Sequence, residues 1–126
     1  PMQAKSEENW RVGQRCLGDG DLNAATSRLY YGVFQSVLVW ARVKKQFTGT
    51  GSSVHTEMWR LVSSEGHSRN VFGETFKKMR ALRETADYTP RPPSLDRLNE
   101  LLPTCERMIE YYRKKATVTE PEGAKP

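Results

Sequence analysis

The stretch DLNAATSRLYYGVFQSVLVWARVKKQ, residues 21 to 46, decides the fold. Leu22, Ala25, Leu29, Val33, Val37 and Trp40 recur at intervals of three and four, and Tyr30, Phe34, Leu38 and Ala41 widen the stripe they form. An apolar arc of that width has to be covered from several sides, so the segment predicts the central helix of a helical bundle. Upstream, Ser6 followed by Glu7 and Glu8 has the form of a helix N-cap with acids in the first turn. A first helix is therefore expected to run to about Leu17 and to stop at Gly18-Asp19-Gly20, where glycine supplies a positive φ.

Downstream, FTGTGSS (47–53) combines two glycines with four hydroxyl residues and predicts a loop. Val54, Met58, Leu61 and Val62 mark a shorter helix over Val54 to Ser64, ended by Gly66. Ser68 is placed to cap a fourth helix carrying Phe72, Phe76, Met79, Leu82 and Ala86 and ending near Tyr88. Pro90, Pro92 and Pro93 cannot continue it. Ser94 caps the last helix, lined by Leu95, Leu98, Leu102, Cys105, Ile109 and Tyr112, with a kink expected at Pro103. No alternating strand pattern and no internal repeat competes. The expectation is an all-α, up-and-down bundle of four or five helices over residues 1–116 and a disordered tail over 117–126.

Composition bounds the function. At 126 residues, 37% hydrophobic and 28% charged, the chain suits one folded domain with its own core. The longest apolar stretch is interrupted by Gln35, Ser36 and Arg42 and falls short of the roughly 20 residues of a membrane span. The start lacks the apolar run of a secretory signal, and Pro1 ahead of Met2 reads as an added residue, so a cytoplasmic location is expected. Cys16 and Cys105, far apart and without CxxC spacing, predict packing rather than a disulfide or a zinc site; neither a metal nor a cofactor is expected. A net charge of +5 favours an anionic partner such as RNA or nucleotide phosphate. Lys44-Lys45, Lys77-Lys78-Arg80 and Arg113-Lys114-Lys115 lie on different helices, and only their convergence on one side would point to RNA. Trp10, Trp40 and Trp59 fall in apolar stripes and read as core or interface rings.

Three short motifs add a resemblance. Ser27-Arg28-Leu29-Tyr30-Tyr31-Gly32-Val33-Phe34 looks like the "SRxYYAxF" helix of a subgroup of HEPN domains (higher eukaryotes and prokaryotes nucleotide-binding). Ser53-Val54-His55-Thr56 is similar to that subgroup's "sHs" helix start, and Leu82-Arg83-Glu84-Thr85-Ala86-Asp87-Tyr88 to its "LRexADY" segment. The resemblance spans residues 21 to 115 in the right order. It implies a HEPN-like bundle, commonly a homodimer, encoded beside a small nucleotidyltransferase as a toxin–antitoxin or two-part system. Several HEPN branches are metal-independent ribonucleases in which an arginine holds the scissile phosphate and a histidine five to seven positions further on, with four to six residues between them, moves the proton of the attacking 2′-hydroxyl. Arg83 matches that arginine, but Asp87 and Tyr88 stand where the histidine belongs. Arg60 and His67 meet the spacing by letter, on a different helix end.

The expected reading is therefore a homodimer that binds nucleotide or RNA phosphate through Arg28 and Arg83, without strong catalysis of its own. The alternative is an endoribonuclease using Arg83 with His55 or Tyr88, and a purely structural module is a third class. Arg28 is also expected to form an internal ion pair with Asp87, since a buried guanidinium needs a partner; Arg83 is the other candidate partner of that carboxylate, one turn along its own helix. His55 reads as a cap or surface residue unless it joins the site. Tyr88 reads as an anchor for the proline turn, or as a hydroxyl that meets, or is modified by, the nucleotidyltransferase.

Overall fold

The computed structural model describes residues 2–65 and 69–117. Its five helices are α1 (Met2–Gly18), α2 (Leu22–Lys44), α3 (Val54–Ser64), α4 (Arg69–Tyr88) and α5 (Leu95–Thr117), with no strand among the described residues. The fold is all-α, as the periodicity predicts. α2 is the hub and touches each of the other four helices. Ala25, Leu29, Tyr30, Val33, Val37 and Ala41 are fully buried along it, and Phe34, Leu38 and Trp40 nearly so. None of the helices is long and apolar enough to cross a membrane.

The link from α1 to α2 is a Schellman turn followed at once by an N-cap. Gly20 takes φ +81°, a region that only glycine enters without strain. The Gly20 N–H donates to the Leu17 carbonyl and the Asp21 N–H to the Cys16 carbonyl, which satisfies two of the last carbonyls of α1. Asp21 then caps α2, its Oδ1 accepting from the Ala24 N–H at 3.2 Å. Ser94 caps α5 in the same way, accepting from Arg97 N–H at 3.2 Å.

Two features differ from the sequence reading. α1 begins at Met2, so Ser6 is an interior helical residue and not an N-cap. Its hydroxyl is buried and donates to the Gly32 carbonyl at 2.6 Å, a tertiary bond that outweighs the capping preference. α5 includes Pro103, where the sequence places a kink, and extends to Thr117, one residue into the expected tail. Gly66, His67, Ser68 and the tail beyond Thr117 lie outside the described residues. So does the Arg60 and His67 pairing.

α1 lies very close against α2 because two glycines let it. A Cβ on Gly13 would stand 2.7 Å from Leu29 Cγ and 3.0 Å from Leu29 N. On Gly32 it would stand 3.2 Å from Trp10 N and 3.3 Å from the Ser6 carbonyl. Leu29 is fully buried and cannot swing away. We expect Gly13→Ala to destabilise the protein by about 1–2 kcal/mol in urea unfolding, because overpacking outweighs the ~1 kcal/mol that alanine gains in helix propensity. Gly18→Ala, with open space around its Cβ, should stay within about 0.5 kcal/mol of the parent.

Candidate functional site

α2, α3 and α4 meet around one guanidinium. Arg83, only 7% exposed, lies with its Cζ 5.3 Å from the Tyr30 ring centre, 5.5 Å from Tyr31 and 5.7 Å from Tyr88. Each such contact contributes about 0.5–2 kcal/mol in a desolvated setting. Nη1 donates to Asp87 Oδ2 at 3.4 Å and to Tyr88 Oη at 3.3 Å, both long bonds. Nε is buried with no hydrogen-bond partner among the described residues. Burial works against the charge, but Tyr31, the bonds to Tyr88 and Asp87, and Tyr30 outweigh it and raise the pKa of Arg83 above its ordinary value.

His55 is in the first turn of α3, and its ring faces inward. It stacks on Phe34 at 4.2 Å between centroids, and its Nδ1 lies 2.6 Å from the Tyr30 hydroxyl. Burial, together with the positive charges of Arg83 and Arg80, holds the His55 pKa down at about 4. Burial likewise pushes the Tyr30 hydroxyl well above the usual tyrosine range. Both groups are therefore neutral near pH 7, and the tautomer of the ring sets which of them donates in the bond they share. The reading of His55 as a cap or surface residue is thereby corrected. Ser53 makes no side-chain cap either.

Arg80 and Glu84 complete the wall. Arg80 Nη1 donates to Thr56 Oγ1 at 3.1 Å, tying α4 to α3, and its Nε lies 3.6 Å from Glu84 Oε2. The pairs Arg80/Glu84 and Arg83/Asp87 form two parallel i,i+4 rungs along α4. Arg80 had been grouped with the solvated lysines Lys77 and Lys78. The signal that separates it is the arginine spacing of three combined with a carboxylate four residues beyond each arginine.

The structure brings Arg83, His55, Tyr88 and Asp87 into one neighbourhood and leaves Arg28 aside. Arg28 is exposed, and its Nη1 donates to Asn9 Oδ1 of α1 at 3.0 Å. The expected Arg28–Asp87 ion pair does not form. Arg28 sits on the α1 side of α2, where water already solvates its charge, and Asp87 answers Arg83 instead. Tyr88 is 74% exposed, so it is no buried anchor for the proline turn; its hydroxyl meets Arg83 at the rim. Of the adjacent tyrosines, Tyr30 is fully buried and Tyr31 half-buried. Cys105 is fully buried, which pushes its thiol up to about 12 and makes it unreactive. No cluster of residues fit to hold a metal occurs among the described residues.

Models of known protein families, curated proteins and solved structures give no match to this chain.

The depressed pKa of His55 predicts a sign for the pH dependence. Above about 6.5 both folded and unfolded chains hold a neutral ring, and this residue adds no slope. As pH falls from there towards 4, the unfolded chain takes up a proton that the folded ring refuses, so stability falls. Urea unfolding of the parent and of His55→Gln across this window should show the parent losing more. In NMR titration, Arg83→Gln should raise the His55 pKa part of the way back, with burial holding the remainder.

Proposed function

We propose that this chain is a HEPN-like module whose Arg83 recognises the phosphate of a nucleotide or RNA, working as a homodimer and beside a small nucleotidyltransferase. The observation that carries the reading is a buried, fully charged guanidinium caged by three tyrosine rings, with two long hydrogen bonds on Nη1 and an unused Nε. Structural ion pairs are normally shorter and better satisfied than this. The rings hold the side chain rigid, so little entropy remains to be lost when an anion arrives. Tyr88, exposed beside Arg83, is the side chain that a second protomer or a modifying partner would meet first.

The same geometry argues for binding over catalysis. A histidine with a pKa of about 4 carries no proton to give at neutral pH, and it is a weak base. Its Nδ1 is already engaged by Tyr30. The endoribonuclease reading keeps one specific support, the closeness of Arg83, His55 and the exposed Tyr88. It would need His55 Nε2 or the Tyr88 hydroxyl to move the proton. Arg28, on the α1 side, is an accessory phosphate contact at most.

Titrating AMP into the full chain should shift the His55 imidazole signals, and the shift should vanish in Arg83→Ala. Binding should weaken steeply as salt rises, since phosphate contacts release counterions. Mass measurement in solution should give twice the chain mass, and a strict monomer would remove the homodimer from this reading. RNA incubated with the protein and EDTA should remain intact. Cleavage that survives chelation and disappears in Arg83→Ala would replace this reading with the nuclease.

A further inference from the structure

At the C-terminal end of α2, about four turns beyond Tyr30 and Tyr31, two basic clusters that are about seventy residues apart in the chain come together. The last turns of α2 and α5 supply Lys44, Lys45, Lys114 and Lys115, which line one concavity of about 550 Å³ with Trp40, Tyr111 and Glu65. The third basic cluster, Lys77-Lys78-Arg80, is not part of it. Four ammonium groups face the single carboxylate of Glu65, which pairs with Lys45 at 3.2 Å. Lys114 is drawn to Glu110 at 3.3 Å, on the α5 surface.

The rings give the concavity a floor. Trp40, Phe72, Tyr111 and Tyr112 pack edge to face or tilted, at centroid distances of 4.8 to 6.0 Å. Trp40 is only 3% exposed and forms the wall, while Tyr111 is half-buried and presents a ring to the opening. Lys45 lies 5.7 Å from the Trp40 ring centre, and Lys115 lies 5.5 Å from that of Tyr111. Lysines near the last turn of a helix answer its macrodipole, which accounts for one or two at each end. It does not account for the two helix ends meeting at one concavity beside a tyrosine ring.

We propose that this concavity is a nucleotide-binding site, taking a nucleotide either free or as a unit of a single-stranded RNA. A base stacks on Tyr111, displacing the Lys115 ammonium from the ring, and the phosphate draws Lys115 together with Lys44, Lys45 and Lys114. Base stacking on an aromatic side chain is sequence-tolerant, and the lysines supply the salt-sensitive part of the affinity. The volume lies within the range of small-molecule sites. The inference does not rest on Arg83, which lies on other helix segments and uses other chemistry.

The test measures a short fluorescein-labelled oligoadenylate by anisotropy at low salt, with AMP, adenosine and inorganic phosphate as competitors. Lys45→Gln/Lys115→Gln, which changes exposed side chains only, should lower affinity on the order of tenfold. Lys77→Gln/Lys78→Gln removes the same charge elsewhere and should change it by less than about twofold. Tyr111→Leu should cost on the order of tenfold and Tyr111→Phe almost nothing; if Tyr111→Leu melts early, the lysine pair decides. AMP should compete better than adenosine or phosphate. AMP binding as tightly as the strand marks a free nucleotide as the occupant, and a much tighter strand marks RNA. Absence of binding, equal losses in the two lysine pairs, or phosphate competing as well as AMP would overturn the site. Loss in Arg83→Ala without loss in Lys45→Gln/Lys115→Gln would also overturn it and leave the Arg83 reading intact.

Discussion

A guanidinium taken out of water has to be surrounded by something that replaces the water, and the arrangement of α2, α3 and α4 follows from how that is done for Arg83. Tyrosine faces do much of it, since their quadrupoles attract a cation while their edges pack as apolar surface. That solution forces Tyr30 fully into the core, where its hydroxyl needs a hydrogen-bond partner of its own. His55 Nδ1 is that partner, and Phe34 stacks on the same imidazole. One buried charge thus ties the first turn of α3 to the middle of α2 and to the last turns of α4. Replacing Arg83 by a neutral side chain would loosen three rings at once and leave the exposed Asp87 to water.

The bundle was legible in the sequence because apolar spacing records which face each helix buries. Every core position read on α2 is buried in the structure except Leu22, which is half-buried at the helix start. The breaks at Gly18-Asp19-Gly20 and at the proline run were equally plain, because glycine and proline limit φ locally. Ser6 misled because its capping signature is local, and the bond it makes crosses to Gly32, 26 residues away. Local propensity carries no information about a partner on another helix.

The site was legible in its residue types and not in its pairings. Arg83, His55 and Tyr88 stand out by type, and the i,i+4 spacing offers Arg83 as the alternative partner of Asp87, which is the pair that forms, but spacing alone does not rule out Arg28. Arg28 is separated from the cage by its angle on α2: it points towards α1 and Asn9, while Tyr30 and Tyr31 carry the faces turned to Arg83. A helical wheel gives those angles only relative to one another. Which neighbour each angle faces is set by the packing order of the helices, here α1 on one side of α2 and α4 on another. The convergence of the α2 and α5 lysines was hidden for the same reason, since each cluster read singly is an ordinary solvated helix end.

The middle and the C-terminal end of α2 meet positive charge in opposite physical states. At Arg83 the charge is buried, held by rings and matched by Asp87, so the site is preorganised and nearly neutral as a whole. At the lysine concavity the four lysines are exposed, Lys45 pairing with Glu65 and Lys114 with Glu110. A buried, rigid cation selects geometry, whereas exposed lysines attract any polyanion and lose it as salt rises. Under the two proposals, an extended anion would be gathered at the C-terminal end of α2 and a single phosphate read near its middle. Tyr30 to Lys44 is 14 residues, about 21 Å of helix, so a strand bridging the two would need several nucleotides and could not be a mononucleotide.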